Sequence, residues 1–333
     1  MDAYITAISY YLPEKELTNE LISADFPEWG VEKISQKTGI YTRHIANKDE
    51  FASDLGVKAA LRLFDEHNID RSTIDFILYC TQSPDYFLPT TACIIQNKLQ
   101  LPTGIGALDF NLGCSGFVYG IGLAKGLIAT GSAKNVLLIT AETYSKFIHP
   151  KDKSNLTIFG DAAAATLITK EPGMFKIGNF VYGTDGSGSE NLIVRNGGIK
   201  NRDLNGEDES GEEGFKRNDN NLYMNGPAIF QFTTQAVPEL ISKTLAANNI
   251  AREDIDMFIF HQANKYMLDF IRKKIGIAES KCFYFLEDCG NTVSSTIPIA
   301  LNGALAESKV NSNSKILLAG FGVGYSWAGC VLN

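Results

Sequence analysis

Histidine is scarce in this chain, with four in 333 residues, and the four are scattered. Cysteine is little used: the six stand at positions 80, 93, 114, 282, 289 and 330, and no two have C-x-x-C spacing. That pattern speaks against a structural zinc site, a metal centre or a disulfide framework, and it predicts a reducing, cytoplasmic setting. Positive charge is in deficit: 30 Lys and Arg face 38 Asp and Glu, for a net charge of −8. A broad basic surface for nucleic acid is therefore not expected, and any acidic partner must meet a local basic patch. Long apolar runs are missing too. None approaches the roughly 18 residues of a membrane span. The opening Met1–Thr6 lacks a basic, apolar leader pattern.

What remains is an ordinary globular composition, 44% hydrophobic and 20% charged, over a length that suits about two domains. The chain repeats itself. Asn68-Ile-Asp-Arg-Ser-Thr-Ile-Asp-Phe-Ile-Leu-Tyr-Cys returns 181 residues later as Asn249-Ile-Ala-Arg-Glu-Asp-Ile-Asp-Met-Phe-Ile-Phe-His. Each copy follows an amphipathic helix pattern (52–66 and 229–247) and runs into a short apolar strand (76–79 and 257–260). Later register agrees: Asn135-Val-Leu-Leu-Ile-Thr matches Lys315-Ile-Leu-Leu-Ala-Gly, and 162–168 and 327–332 both read as closing strands. Two α/β halves of one architecture follow, residues 1–172 and 173–333. The acidic stretch 206–214 reads as a solvated loop.

The repeat places the chemistry. Cys114 stands in Gly-Cys-Ser-Gly, where an extended run ends and a helical pattern (115–129) begins. A sulfur at a helix N-terminus is expected to favour the thiolate and could carry an acyl group as a thioester. A buried cysteine acting only as a small hydrophobe fits the same string. His261 directly follows the second-half strand 257–260, so both residues fall at strand C-termini, where open α/β sheets bind ligands. Asn291 lies in Gly-Asn-Thr. Taken singly, the histidine could be a core residue and the asparagine a turn.

Gly-Cys-Ser-Gly, His261-Gln-Ala-Asn, Gly290-Asn-Thr and Gly320-Phe-Gly-Val-Gly-Tyr-Ser-Trp occur in this order. So ordered, they resemble the thiolase superfamily, and specifically the β-ketoacyl-acyl-carrier-protein synthases III, from Ser9-Tyr-Tyr-Leu-Pro to the Trp327 strand. The resemblance implies a thiolase-like duplicated fold, with pseudo-twofold-related halves forming a layered α-β-α-β-α core. It implies a catalytic triad of Cys114, His261 and Asn291. It also implies a decarboxylative Claisen condensation of an acyl-CoA primer with malonyl-acyl-carrier protein, which initiates fatty acid synthesis. Neutral His261 and the Asn291 amide would each donate a hydrogen bond to the enolate oxygen. The backbone N–H groups of Cys114 and Val323 would form the oxyanion hole, although relatives often carry glycine at the latter place. No metal or cofactor is implied. A related acyltransferase, a synthase of a specialised lipid or secondary-metabolite pathway, and a cysteine thioester hydrolase remain alternatives.

The resemblance extends to binding ends. Trp29, Lys37 and Lys153 match CoA contacts, with lysine where arginine is frequent, and Asn264 matches a pantetheine contact. Lys265, Arg272, Lys273 and Lys274 lie on a helix pattern whose counterpart docks the acidic acyl carrier protein; cations at a helix C-terminus are also common without any partner. The family is homodimeric. Leu88 stands where a partner residue, often phenylalanine, closes the acyl pocket, so a primer longer than acetyl is expected.

Overall fold

The computed structural model describes residues 2–204, 206–210 and 216–333. Asn68 and Asn249 each end a helix in the left-handed conformation, at φ 51° and 53°. Asparagine tolerates that region better than most residues. Each is followed by a short 3-10 turn (Arg71–Thr73, Arg252–Asp254) and then by a buried strand, so the sequence repeat is also a repeat of backbone conformation.

Nine strands form one mixed sheet. They are β1 (Tyr4–Tyr11), β2 (Phe76–Cys80), β3 (Gly106–Phe110), β4 (Asn135–Glu142), β5 (Ala162–Thr169), β6 (Phe175–Thr184), β7 (Met257–Phe260), β8 (Ile316–Gly322) and β9 (Ser326–Leu332). The first half reads β3-β2-β4-β5-β1, with the first three parallel and the last two antiparallel. The second half reads β7-β8-β9-β6 with the same alternation of directions. Its missing outer strand survives as a single parallel bridge from Phe258 to Cys282. Strand pairing joins the two half-sheets at Tyr4 with Lys176 and Ile5 with Phe175.

The main helices are α1 (Ala52–His67), α2 (Thr91–Lys98), α3 (Gly116–Ala129), α4 (Gly226–Asn248), α5 (Lys265–Ile275) and α6 (Thr296–Ala306). Helices α3 and α6 touch strands of both halves, whereas α1 covers the outside of the first half and α4 that of the second. The layers are thus α-β-α-β-α. The sequences explain this placement. Helices α3 and α6 are apolar nearly all round, which suits burial on both sides. Phe117, Val118, Ile121 and Ile297 are inaccessible or nearly so and join the core cluster that spans both halves. Each such side chain contributes roughly 1.5–3 kcal/mol. Helix α1 instead buries one stripe, from Ala52 and Leu55 to Leu63 and Phe64. Of the acidic stretch 206–214, residues 211–214 lie outside the described residues, while Glu209–Ser210 pairs with Lys216–Arg217.

Candidate active site

Cys114 follows β3 and precedes α3, whose first residue is Gly116. The corresponding turn in the second half carries Ser294, ahead of α6. The N–H groups of Val323 and of Cys114 itself approach the sulfur and pull its pKa down, yet burial outweighs them and pushes the thiol up to about 12. Burial thus works against the thiolate that the helix N-terminus is expected to favour, while the two N–H groups work for it. The two predicted oxyanion donors nonetheless converge on it. Val323 does so without a left-handed backbone, because the positive φ falls on Gly324. Gly322 is needed for contact: a Cβ there would lie 2.6 Å from the Cys114 sulfur.

His261 leaves β7 fully buried, and burial lowers its pKa to about 3, so the imidazole is neutral. Its Nδ1 lies 2.8 Å from the Thr296 hydroxyl at the start of α6. Asn291 is held from the first half of the chain: its N–H donates to the Ile158 carbonyl at 2.9 Å, and its carbonyl accepts from the Gly160 N–H at 3.0 Å. The preceding Gly290 has φ 69°, and a side chain there would meet the Ile158 carbonyl at 2.8 Å. The Asn291 Oδ1 accepts the Val293 N–H at 2.9 Å, which leaves the Nδ2 donor for the cavity. Cys114, His261 and Asn291 all line one cavity of about 160 Å³. Asn264, Tyr266 and Phe230 line it as well.

The matches found in the comparisons span the whole chain. The family model described as 3-Oxoacyl-[acyl-carrier-protein (ACP)] synthase III covers residues 108–186, and its C-terminal counterpart covers 245–333. A β-ketoacyl-[acyl-carrier-protein] synthase III of Clostridium perfringens is 36% identical over 99% of both chains. The chain belongs to the 3-oxoacyl-(acyl-carrier-protein) synthase III family. It is a condensing acyltransferase. A crystal structure of a 3-oxoacyl-(acyl-carrier-protein) synthase III superposes with a TM-score of 0.98 at 48% identity, covering 100% of each chain. The priming β-ketosynthase of the R1128 polyketide pathway superposes at 0.85 with 26% identity, covering 99% of this chain and 96% of that one.

The residues expected at the two binding ends differ in their surroundings. Trp29 gathers three ammonium groups from two segments: Lys37 at 5.1 Å from the ring centre and Lys33 at 5.2 Å, both on the helix Val31–Thr38, and Lys153 at 5.8 Å. Lys153 is 7% exposed and pairs with Glu28 at 2.9 Å. Asn264 caps α5, its Oδ1 taking the Met267 N–H at 2.9 Å, which leaves its Nδ2 toward the cavity. On α5, Lys265, Lys273 and Lys274 are exposed, as expected. Arg272 is not the solvent-facing cation expected from the helix pattern. Its side chain is 11% exposed and donates to the Tyr284 hydroxyl at 3.2 Å and to Glu279 at 3.3 Å. Lys274 donates to the Thr234 carbonyl at 2.7 Å. Thr234 lies on α4, and Glu279 and Tyr284 follow the end of α5; a helix pattern reveals none of the three. Leu88 is 81% exposed, beside Tyr86 and Phe87.

Sequence reasoning passed over Glu142, the last residue of β4. It is fully buried, and burial pushes its pKa up to about 8 although it accepts the Gln82 N–H at 3.0 Å and the Ser294 hydroxyl at 2.9 Å. A carboxylate closing an otherwise apolar strand was the available signal. It also passed over the aromatic cluster at the cavity mouth, where Phe230 lies 5.7 Å from Tyr266 and 5.0 Å from Phe270.

Proposed function

We propose that the chain condenses an acyl-CoA primer with malonyl-acyl-carrier protein, releasing CoA and carbon dioxide and opening fatty acid synthesis. The observation that carries this reading is the shared cavity of Cys114, His261 and Asn291, with the Val323 N–H on the sulfur. In the first half-reaction the Cys114 sulfur attacks the thioester carbonyl, and the oxyanion meets the N–H groups of Cys114 and Val323. The thiol proton passes to the departing CoA sulfur as the carbon–sulfur bond to Cys114 forms and the bond to CoA breaks, so CoA leaves as a thiol.

In the second half-reaction the malonyl carboxylate departs as carbon dioxide, and its electron pair becomes the enolate. The His261 proton and the Asn291 Nδ2 donate to the enolate oxygen. The enolate carbon then attacks the acyl thioester, and the released Cys114 sulfur takes up a proton from solvent. The cycle consumes one solvent proton. Every step uses the protein's own residues and its two thioester substrates, so neither a metal nor a cofactor is called for.

Nucleotide recognition by Trp29, Lys37 and Lys153, a pantetheine contact at Asn264, and carrier docking over Lys265, Lys273 and Lys274 complete the reading. Three neighbouring apolar side chains at 64%, 68% and 81% exposure, Tyr86, Phe87 and Leu88, support a homodimer in which Leu88 enters the partner's acyl pocket. Leucine there leaves room for primers beyond acetyl. The six unpaired cysteines support a cytoplasmic setting. Among the described residues, no helix is long and apolar enough to cross a membrane. The test is mass spectrometry after incubation with acyl-CoAs of increasing length, followed by addition of malonyl-carrier protein. An acyl adduct on Cys114 that disappears with release of carbon dioxide is expected. Free acid without condensation would identify a hydrolase instead, and condensation without carbon dioxide a non-decarboxylating acyltransferase.

A further inference from the structure

A second cavity, of about 650 Å³, lies against the one that holds Cys114. Tyr144, Leu192 and Val323 line both, so these three residues form the wall between them. Asn264 lines the smaller cavity only. With a thioester carbonyl held at Cys114 and the Val323 N–H, and the pantetheine arm at Asn264, the acyl chain is directed at this wall. Beyond it, Phe147, Val194 and Leu222 give the larger cavity an apolar lining.

Tyr144 is the largest of the three and the only one with a polar end. It begins the 3-10 turn Tyr144–Lys146 just after β4 and is 3% exposed. Its ring centre lies 5.3 Å from that of Phe159 and 6.1 Å from that of Phe147. Its hydroxyl donates to the Gln82 Oε1. Gln82 is itself tied at two further points: its backbone N–H donates to the buried Glu142 carboxyl at 3.0 Å, and its Nε2 donates to the Asn111 Oδ1 at 3.1 Å. A buried tyrosine hydroxyl needs a partner, and here that partner is held in place, so turning the ring aside breaks a hydrogen bond that nothing replaces. We infer that Tyr144, latched to Gln82, is a specificity-determining gate for the primer: short acyl chains load onto Cys114 with the latch closed, and long chains reach the larger cavity only when the ring turns aside. This deepens the proposed function and rests on it for the direction of the acyl chain. The gate controls passage through the wall, whereas position 88 controls the room beyond it.

The test compares wild type, Tyr144→Phe, Gln82→Met and Tyr144→Leu. Acylation of Cys114 by butyryl-CoA and by decanoyl-CoA is followed by rapid quench and mass spectrometry. Wild type should acylate at least about tenfold faster with butyryl-CoA, the scale of one buried hydrogen bond. Tyr144→Phe keeps the ring without the latch, and Gln82→Met removes the latch from the other side. Each should raise the decanoyl rate about tenfold, which is about 1.4 kcal/mol, and leave the butyryl rate within about twofold. Tyr144→Leu removes the ring and should raise the decanoyl rate further. A tyrosine that only fills the core would move both rates together, so the ratio of the two is the readout. Equal rates in wild type, or a ratio unchanged in both latch variants, overturns the gate. Should Tyr144→Leu fail to fold, the two latch variants still decide. Absence of any acyl adduct in wild type would defeat the proposed function. Butyl and decyl methanethiosulfonate, which label a thiol as a mixed disulfide without acyl transfer, then read the same ratio and decide the gate.

Discussion

At Cys114 burial opposes the thiolate and two N–H groups favour it. His261 and Asn291 act after the acyl group is in place. His261→Ala and Asn291→Ala should each spare acylation and reduce decarboxylation by about 100-fold or more, the scale of losing an oxyanion donor. Single-turnover adduct formation and carbon dioxide release, measured on the same variants, check this; equal losses in both steps for Asn291→Ala would refute the division. The neutral imidazole has a second effect. In the unfolded chain it gains a proton below about 6.5, but in the folded protein only near 3. The unfolded state therefore binds more protons across that interval, and stability falls on acidification by at most roughly 1.4 kcal/mol per pH unit. Urea unfolding between pH 7 and pH 4 should show the slope, and His261→Asn should flatten it. The three reacting side chains were legible because their residue types stand in recognisable strings. Thr296 was not, since one threonine among many shows no role until its hydroxyl is seen against an imidazole 35 positions away.

Elements bring these groups together at tolerances that single glycines reveal. Strand β8 ends on Gly322 with no room for a methyl group beside the nucleophile. Gly322→Ala should fold but form acyl-enzyme at least about tenfold more slowly, as a displaced sulfur forfeits the alignment that proximity provides. Thermal melting alongside adduct kinetics would test this. The segment around Trp29 carries its own acid: Glu28 holds Lys153, and a nucleotide phosphate must compete with that carboxylate. Glu28→Gln should lower KM for acyl-CoA about threefold to tenfold and leave KM for acyl-pantetheine, which lacks the nucleotide, unchanged. Equal changes for both substrates would show that the carboxylate acts elsewhere. Helix and strand bounds were readable to within a few residues from apolar periodicity. What periodicity could not show was Arg272 turned inward to Tyr284 and Glu279, because cross-element partners leave no trace in a helix repeat.

For the molecule as a whole, the duplication made the architecture legible, since a repeat of helix, turn and strand at one fixed offset admits few packings. The strand pairing that joins the half-sheets was not, because it rests on two residue pairs rather than on any motif. The exposed Tyr86-Phe87-Leu88 face should place the protein at twice the chain mass in sedimentation, and Leu88→Asp should shift it toward monomer with loss of condensation. Leu88→Phe should keep the dimer and move primer preference toward shorter acyl groups. Strand β1 has a further consequence. It lies between β5 and β6, whose residues begin at 162 and 175, so the opening segment has neither edge covered when it leaves the ribosome. Completion of the fold waits on contacts spanning more than 150 positions, a topology that slows folding and leaves an early, aggregation-prone edge in need of shielding during synthesis.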